Sequence, residues 1–275
     1  MNILNEYFVL NNGVKIPKIA LGTWQIEDNV VEGVVKYALS IGYRHIDSAI
    51  QYYNEEGIGR ALQSCGIPRR DIFITTKIPS TTKDYESTLK EIDESLKRLK
   101  TDYIDLILIH APRPWPEMGP NATNRYFKEN VEVYRALEEA YRQMKVRAIG
   151  VSNFYIDDLQ NILDNCIIIP QVNQIQVNIE YTQFELIEFC KKHKILVEAY
   201  APNATGRLLK NQKAKEIADK YGVSIPRLGI KYNLQLGLLP LPKSVHEEYI
   251  KENADMDFVI SAEDMEILKE MAKVK

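Results

Sequence analysis

A (β/α)8 TIM barrel is the fold this sequence predicts, and three observations predict it. Eight short apolar runs recur along the chain, at 16–21, 43–46, 72–76, 104–109, 146–151, 171–175, 195–200 and 236–241. Each run but the last is followed by a stretch of helical periodicity, the alternation that builds an all-parallel sheet. Eight is the number of strands that closes such a sheet on itself. An open doubly wound sheet is the alternative. It usually carries G-x-G-x-x-G after its first strand, where this chain has Leu21-Gly22-Thr23-Trp24.

Taken in order, residues 7–17 alternate around Asn11-Asn12-Gly13, and Asn-Gly is a strong hairpin signal, so an N-terminal β-hairpin precedes the first barrel strand. Gly57-Ile58-Gly59 lies within a helical segment and is expected to serve helix packing. Segment 82–99 places Tyr85, Leu89, Ile92, Leu96 and Leu99 on one helical face, and segment 130–144 repeats this with Val133, Leu137, Tyr141 and Met144. Extra helices are expected after strands seven and eight, including a short one near 246–252 and a longer one near 261–274. The one long connection, 111–129, is rich in Pro and aromatic residues, and loops of that length are often functional. No linker, repeat or low-complexity tract breaks the chain, so residues 1–275 are expected to form a single domain.

Composition narrows the function classes. Hydrophobic residues make up 45%, enough for a sizeable core, and a net charge of -3 with mixed signs gives nucleic acid no electrostatic foothold. Cys65, Cys166 and Cys190 are widely spaced and form no C-x-x-C pair, so they read as reduced core thiols and not as a disulfide frame or metal site. The acidic, polar start, Met1 to Glu6, is no secretory signal, and no apolar run approaches membrane-spanning length. A soluble cytoplasmic protein is expected.

Chemistry in such a barrel lies where strands end and loops begin. Asp47 follows the second strand, Lys77 ends the third and His110 ends the fourth, while Tyr52 and Tyr53 lie just beyond Asp47. A lysine ending a buried strand needs a carboxylate to stay charged, and Asp47 supplies one. A cation beside a phenol favours phenolate and lowers its pKa, so this rim has the composition of a proton-donating site. Spacing does not decide between Tyr52 and Tyr53; one is expected to face the site and the other to turn away.

Two further clusters stand on the same rim. Tyr200 to Gly206 after the seventh strand, with Lys243 and Ser244 after the eighth, are placed to hold a phosphorylated ligand; the alternative is that Ser244 only caps the helix ahead of it. Ser152, Asn153 and Gln174 after strands five and six offer hydroxyl and amide groups matched to a carboxamide such as that of nicotinamide. Ser152 and Asn153 can instead cap the helix that begins near Tyr155.

These segments resemble the aldo-keto reductases. The resemblance is carried by Gly42-Tyr43-Arg44-His45-Ile46-Asp47-Ser48-Ala49 with Tyr52 and Asn54-Glu55, and by Tyr103 to His110. Ile149 to Phe154, Val172 to Ile175 and Leu241 to Ser244 complete it. It implies a nicotinamide-dependent reductase of aldehydes and some ketones, with Tyr52 as the acid and Asp47, Lys77 and His110 completing a tetrad. It implies that Ser152, Asn153 and Gln174 hold the carboxamide, that Tyr200 stacks on the nicotinamide, and that Thr23 lies near the cofactor. Lys243 and Ser244 are assigned to the 2′-phosphate of NADPH, with Ala201, Asn203, Tyr249, Glu252 and Asn253 as further cofactor contacts.

The departures from the family are specific. Ala111 replaces the usual Trp after the histidine, Gln176 and Asn178-Ile179 replace Glu and His-Pro, and Ala201 replaces a serine. Tyr249 stands where the family's 2′-phosphate Arg is expected, which leaves NADH use open because bidentate phosphate recognition is special to Arg. A shallow, open substrate pocket is expected, lined by Trp24, Tyr53 and Trp115 with Tyr126 or Phe127, in a monomer or weak oligomer acting on a small carbonyl compound. Two other readings stay open. One is a barrel lyase with Lys77 as Schiff-base nucleophile; the other is a cofactor-binding protein without catalysis.

Overall fold

The computed structural model describes residues 2–118 and 123–272. Residues 119–122 of the long connection, and the last residues of the helix expected to reach 274, lie outside the described residues. The chain opens with an antiparallel hairpin, β1 (Tyr7–Val9) and β2 (Lys15–Pro17), with Phe8 opposite Ile16. Gly13 sits in its turn at φ +86°, a conformation that costs glycine little.

Eight parallel strands follow: β3 (Leu21–Gly22), β4 (His45–Asp47), β5 (Phe73–Ile78), β6 (Leu106–Ile109), β7 (Ile149–Ser152), β8 (Val172–Gln176), β9 (Leu196–Tyr200) and β10 (Leu239–Leu241). Each pairs with the next in sequence, and the Gly22 amide donates to the Pro242 carbonyl at 2.9 Å, closing the barrel between β3 and β10. One expected strand is divided. The run 16–21 splits between hairpin and barrel, because Pro17 ends β2 and the barrel's own strand starts only at Leu21. Ile19 and Ala20 between them are buried, so the apolar pattern continues across the break.

The helices are α1 (Asp28–Ser40), α2 (Glu55–Ser64), α3 (Tyr85–Leu99), α4 (Phe127–Arg142), α5 (Ile156–Asn165), α6 (Phe184–Lys192), α7 (Gln212–Lys220), α8 (Ile225–Gln235), α9 (Glu247–Asn253) and α10 (Ala262–Met271). Two of them follow strand seven and two follow strand eight, as expected. Asp84 starts α3 by accepting the Ser87 amide at 2.8 Å. Met144, expected on the buried face of the fourth helix, lies beyond its end at φ +58° and is 82% exposed.

Strand parity divides the core into two layers. Outward-facing Ile46, Ile74, Ile107, Ile109, Ile149, Val151, Ile175 and Val197 pack under the helices. Inward-facing Phe73, Leu106, Leu108, Val172 and Leu239 fill the lower barrel together with Leu10 and Ile16 of the hairpin. Asn11 donates to the Pro170 and Lys194 carbonyls and Asn12 to the Arg147 carbonyl, just ahead of the strands that follow them. The hairpin thus seals the N-terminal end of the barrel, and the opposite end is left for the side chains two residues further along each inward row.

Gly57 and Gly59 serve the helix contacts expected of them. A Cβ on Gly57 would stand 2.3 Å from the Asp28 carbonyl oxygen, and one on Gly59 would stand 2.3 Å from that of Arg98. Gly59→Ala must push α2 off α3 and is expected to cost about 1–3 kcal/mol in a urea melt. Gly33→Ala, on the exposed side of α1 with nothing within 4 Å, is expected to stabilise by up to about 1 kcal/mol. Equal effects from the two changes would contradict this packing.

Candidate active site

The inward rows of several strands turn polar near their C-terminal ends. Asp47 is the last residue of β4, Lys77 continues the row of Phe73 and Thr75, and His110 continues the row of Leu106 and Leu108. Lys77 is fully buried, and its Nζ donates to Asp47 Oδ1 and Oδ2, both at 2.9 Å, and to the Ser48 carbonyl at 2.6 Å. Burial by itself lowers the Lys77 pKa, but Asp47, with lesser help from Tyr52 and Glu198, holds it above the ordinary lysine value.

The chain then turns through a short 3-10 segment, Ile50–Tyr52, and this separates the two tyrosines. The ring of Tyr52 lies 5.0 Å from Lys77 Nζ and 5.6 Å from the His110 ring. Tyr53 adopts φ +55° and is 83% exposed on the rim. Geometry therefore brings Tyr52, and not Tyr53, to the ammonium. Its pKa departs from the sequence-based expectation. Lys77 does pull the phenol down, but burial pushes it up more strongly and Asp47 adds to that, so the net direction is upward. Tyr52 is accordingly a protonated phenol at neutral pH.

His110 is driven well below the usual histidine range, first by burial and then by Lys77, so its ring is neutral. Its Nδ1 is buried without a partner. Trp115, from the long connection, stands edge-to-face on His110 at 5.2 Å, and its indole N–H donates to Gln51 Oε1 at 3.3 Å. An aromatic wall thus stands beside His110 although Ala111 is a buried methyl.

The amide cluster is bonded internally. Ser152 Oγ donates to the Gln174 carbonyl at 2.9 Å, and Asn153 Nδ2 donates to the His110 carbonyl and to Ser152 Oγ, both at 3.0 Å. The Tyr200 hydroxyl donates to Asn153 Oδ1 at 2.7 Å. Neither Ser152 nor Asn153 caps α5; Tyr155 is its N-cap residue, and Asp158 accepts the Tyr155 amide at 3.2 Å. The capping alternative is set aside on that ground. Gln174 Nε2 donates to Asp47 Oδ1 at 2.8 Å and to Glu198 Oε2 at 2.7 Å.

Glu198 is the residue that sequence reading missed. It is fully buried on β9, and burial followed by repulsion from Asp47 pushes its carboxyl up to about 8. A signal was present in Leu196-Val197-Glu198-Ala199-Tyr200, where a lone charge shares the inward parity of Tyr200. Asn54 was likewise named only as part of a motif. It accepts from Ser48 Oγ at 2.8 Å and donates to the Thr23 and Ile26 carbonyls, tying the loop after β3 to the rim.

A cleft of about 920 Å³ crosses this rim, lined among others by Asp47, Tyr52, His110, Ser152, Asn153, Gln174 and Tyr200. Its lining also includes Ala201, Asn203 and Lys243, and the aromatic residues Trp24, Tyr53 and Trp115. Its volume is at the upper end of ligand pockets. Tyr126 does not line it, because its hydroxyl donates to Glu117; nor does Phe127. Thr23 is fully buried behind the rim with its hydroxyl on the Asp47 carbonyl, while neighbouring Gly22 and Trp24 reach the cleft. Ser244 Oγ accepts the His246 amide at 3.0 Å, ahead of an α9 whose N-cap residue is His246 itself. Ser244, Tyr249, Glu252 and Asn253 lie outside the lining, Tyr249 being 53% exposed with its ring against His246. An aromatic face, a cluster of amides and a lysine in the lining of one cleft fit the parts of a nicotinamide dinucleotide.

The family model described as Aldo/keto reductase family matches residues 18–273. A glyoxal reductase from Bacillus subtilis (strain 168) is 39% identical, covering 98% of this chain and 94% of its own. The crystal structure of an aldo-keto reductase from a Medee basin deep-sea metagenome library superposes with a TM-score of 0.90 at 39% identity, covering 98% of this chain and 96% of its own. That of a Bombyx mori aldo-keto reductase in complex with NADP does so with a TM-score of 0.86 at 30% identity, covering 97% and 92%. The chain belongs to the aldo/keto reductase family and is an NAD(P)H-dependent oxidoreductase.

Proposed function

We propose that the protein reduces small aldehydes, and some ketones, to alcohols with NADPH, and that Tyr52 is the proton donor. The observation that carries this reading is the buried Lys77–Asp47 pair facing the Tyr52 ring, with neutral His110 beside it on the wall of one cleft. A glyoxal reductase and an aldehyde reductase, from Saccharomyces cerevisiae, among the relatives support the carbonyl substrate class. The exposed rim of Trp24, Tyr53 and Trp115 suits a small substrate entering from solvent.

When bound, the nicotinamide supplies the hydride. Tyr200 would offer its ring to the nicotinamide, and Ser152, Asn153 and Gln174 would hold its carboxamide. As negative charge develops on the substrate oxygen, Tyr52 gives up its phenolic proton to that oxygen. A phenol is a poor acid, with an ordinary pKa of about 10, and Lys77 stabilises the phenolate left behind. Asp47 keeps Lys77 charged and aimed. Neutral His110 orients the carbonyl oxygen by a hydrogen bond, a contribution of up to several kcal/mol in a dry site. Lys77 is ill suited to Schiff-base chemistry, because it is fully buried, its ammonium is held by Asp47 and the Ser48 carbonyl, and its pKa is raised. Lys243, also in the lining of the cleft, would hold the 2′-phosphate, without the guanidinium that the resemblance expects at Tyr249.

Two measurements test this. Tyr52→Phe is expected to lower kcat for an aldehyde about 10²–10⁴-fold while the Kd for NADPH changes little. Undiminished turnover would remove Tyr52 from the role. NADPH is expected to bind more tightly than NADH, by a reduced margin, and Tyr249→Arg is expected to widen that margin roughly 10-fold in fluorescence titrations. Tighter NADH binding in the wild type would contradict the assignment of Lys243.

A further inference from the structure

We propose that Glu198 is a positioning residue that holds the Gln174 amide in the orientation needed to receive the nicotinamide carboxamide. This rests on the reading of Gln174 as a carboxamide partner and adds to it the side chain that fixes it.

One atom of the Gln174 amide contacts both Asp47 Oδ1 and Glu198 Oε2, at 2.8 and 2.7 Å. Asp47 also accepts from Lys77 at both oxygens in a buried ion pair, so it meets the Gln174 amide as an acceptor. The atom between the two carboxyl groups is therefore the nitrogen, and Glu198 takes its second hydrogen. With both hydrogens anchored, on β4 and on β9, the amide plane cannot swing. Its carbonyl oxygen is the end left for a ligand in the cleft that Gln174 lines. An acceptor oxygen there matches the N–H2 of a carboxamide.

The cost of keeping Glu198 supports a purpose beyond packing. It is fully buried, and its Oε1 has no partner. A buried carboxyl group left half satisfied is less favourable than an apolar side chain of similar size. The groups that face it are Asp47, Lys77 and Gln174, all part of the site. Asp47 is already held by Lys77 and does not need Glu198. What Glu198 alone supplies is the second anchor on Gln174.

The test compares Glu198→Val, Glu198→Gln and Gln174→Leu in equilibrium binding of NADPH and of 2′,5′-ADP, which lacks the nicotinamide. Glu198→Val is expected to weaken NADPH about 5- to 20-fold, the worth of roughly one hydrogen bond, and to leave 2′,5′-ADP within about 2-fold. Glu198→Gln keeps an acceptor for the amide and is expected to bind NADPH within about 2-fold of wild type. Glu198→Val binding NADPH normally, or losing both ligands equally, would overturn the proposal, as would a Glu198→Gln protein as weak as Glu198→Val. Gln174→Leu separates the two readings. Normal NADPH affinity in that variant defeats the carboxamide assignment itself, whereas a loss there with none in Glu198→Val defeats only the role of Glu198.

Discussion

A lysine ammonium with no exposed surface, deep in the upper barrel, is the constraint on which the rest of this site depends. Removing a charge from water costs several kcal/mol, and Lys77 recovers it only through both oxygens of Asp47 and the Ser48 carbonyl. β4 and β5 must therefore be neighbours in a register that sets Asp47 opposite Thr75, two residues before Lys77. Other polar groups arrange themselves around that pair. Tyr52 presents its ring to the ammonium, His110 is kept neutral partly by it, and Gln174 bonds to the same Asp47 oxygen. The interaction sets the electrostatic character of the cleft more than any single group lining it.

The barrel makes this affordable by sorting its interior along the axis. Three inward rows begin apolar and end polar: Phe73, Thr75, Lys77 on β5; Val172, Gln174, Gln176 on β8; Leu196, Glu198, Tyr200 on β9. The hairpin closes the apolar end with Leu10 and Ile16, so the lower interior needs no water. The buried polar groups and the cleft lie at the other end, where the loops supply Trp24, Tyr53 and Trp115 to its lining. The same parity that makes a strand amphipathic on a sheet here divides structure from site within one row.

Much of this was legible in the chain before any coordinates. Eight apolar runs predicted the barrel, because buried parallel strands read as continuous hydrophobic segments. Asp47, Lys77 and His110 announced themselves as polar residues at the ends of such runs. What was not legible depended on the third dimension. Run 16–21 looked like one strand, because burial continues through residues that belong to a connection. Tyr52 and Tyr53 are indistinguishable by spacing, and a single left-handed residue decides between them. Ser152 and Asn153 carry cap-like side chains, yet α5 starts after them. The net pKa of Tyr52 is a contest between burial and Lys77 that no motif encodes. Glu198 matches no motif, being a lone acid in an apolar run, and only its parity with Tyr200 marks it in the sequence.

The central claim is that Asp47 keeps a buried Lys77 charged. It is tested most directly by NMR titration of the Lys77 15Nζ resonance, assigned by its loss in Lys77→Met, in the wild type and in Asp47→Asn. The account predicts that Lys77 remains an ammonium beyond the ordinary lysine pKa of about 10.5 in the wild type. In Asp47→Asn burial is no longer opposed by that carboxylate, and the midpoint falls below this value. A midpoint that is the same in both proteins would contradict the account.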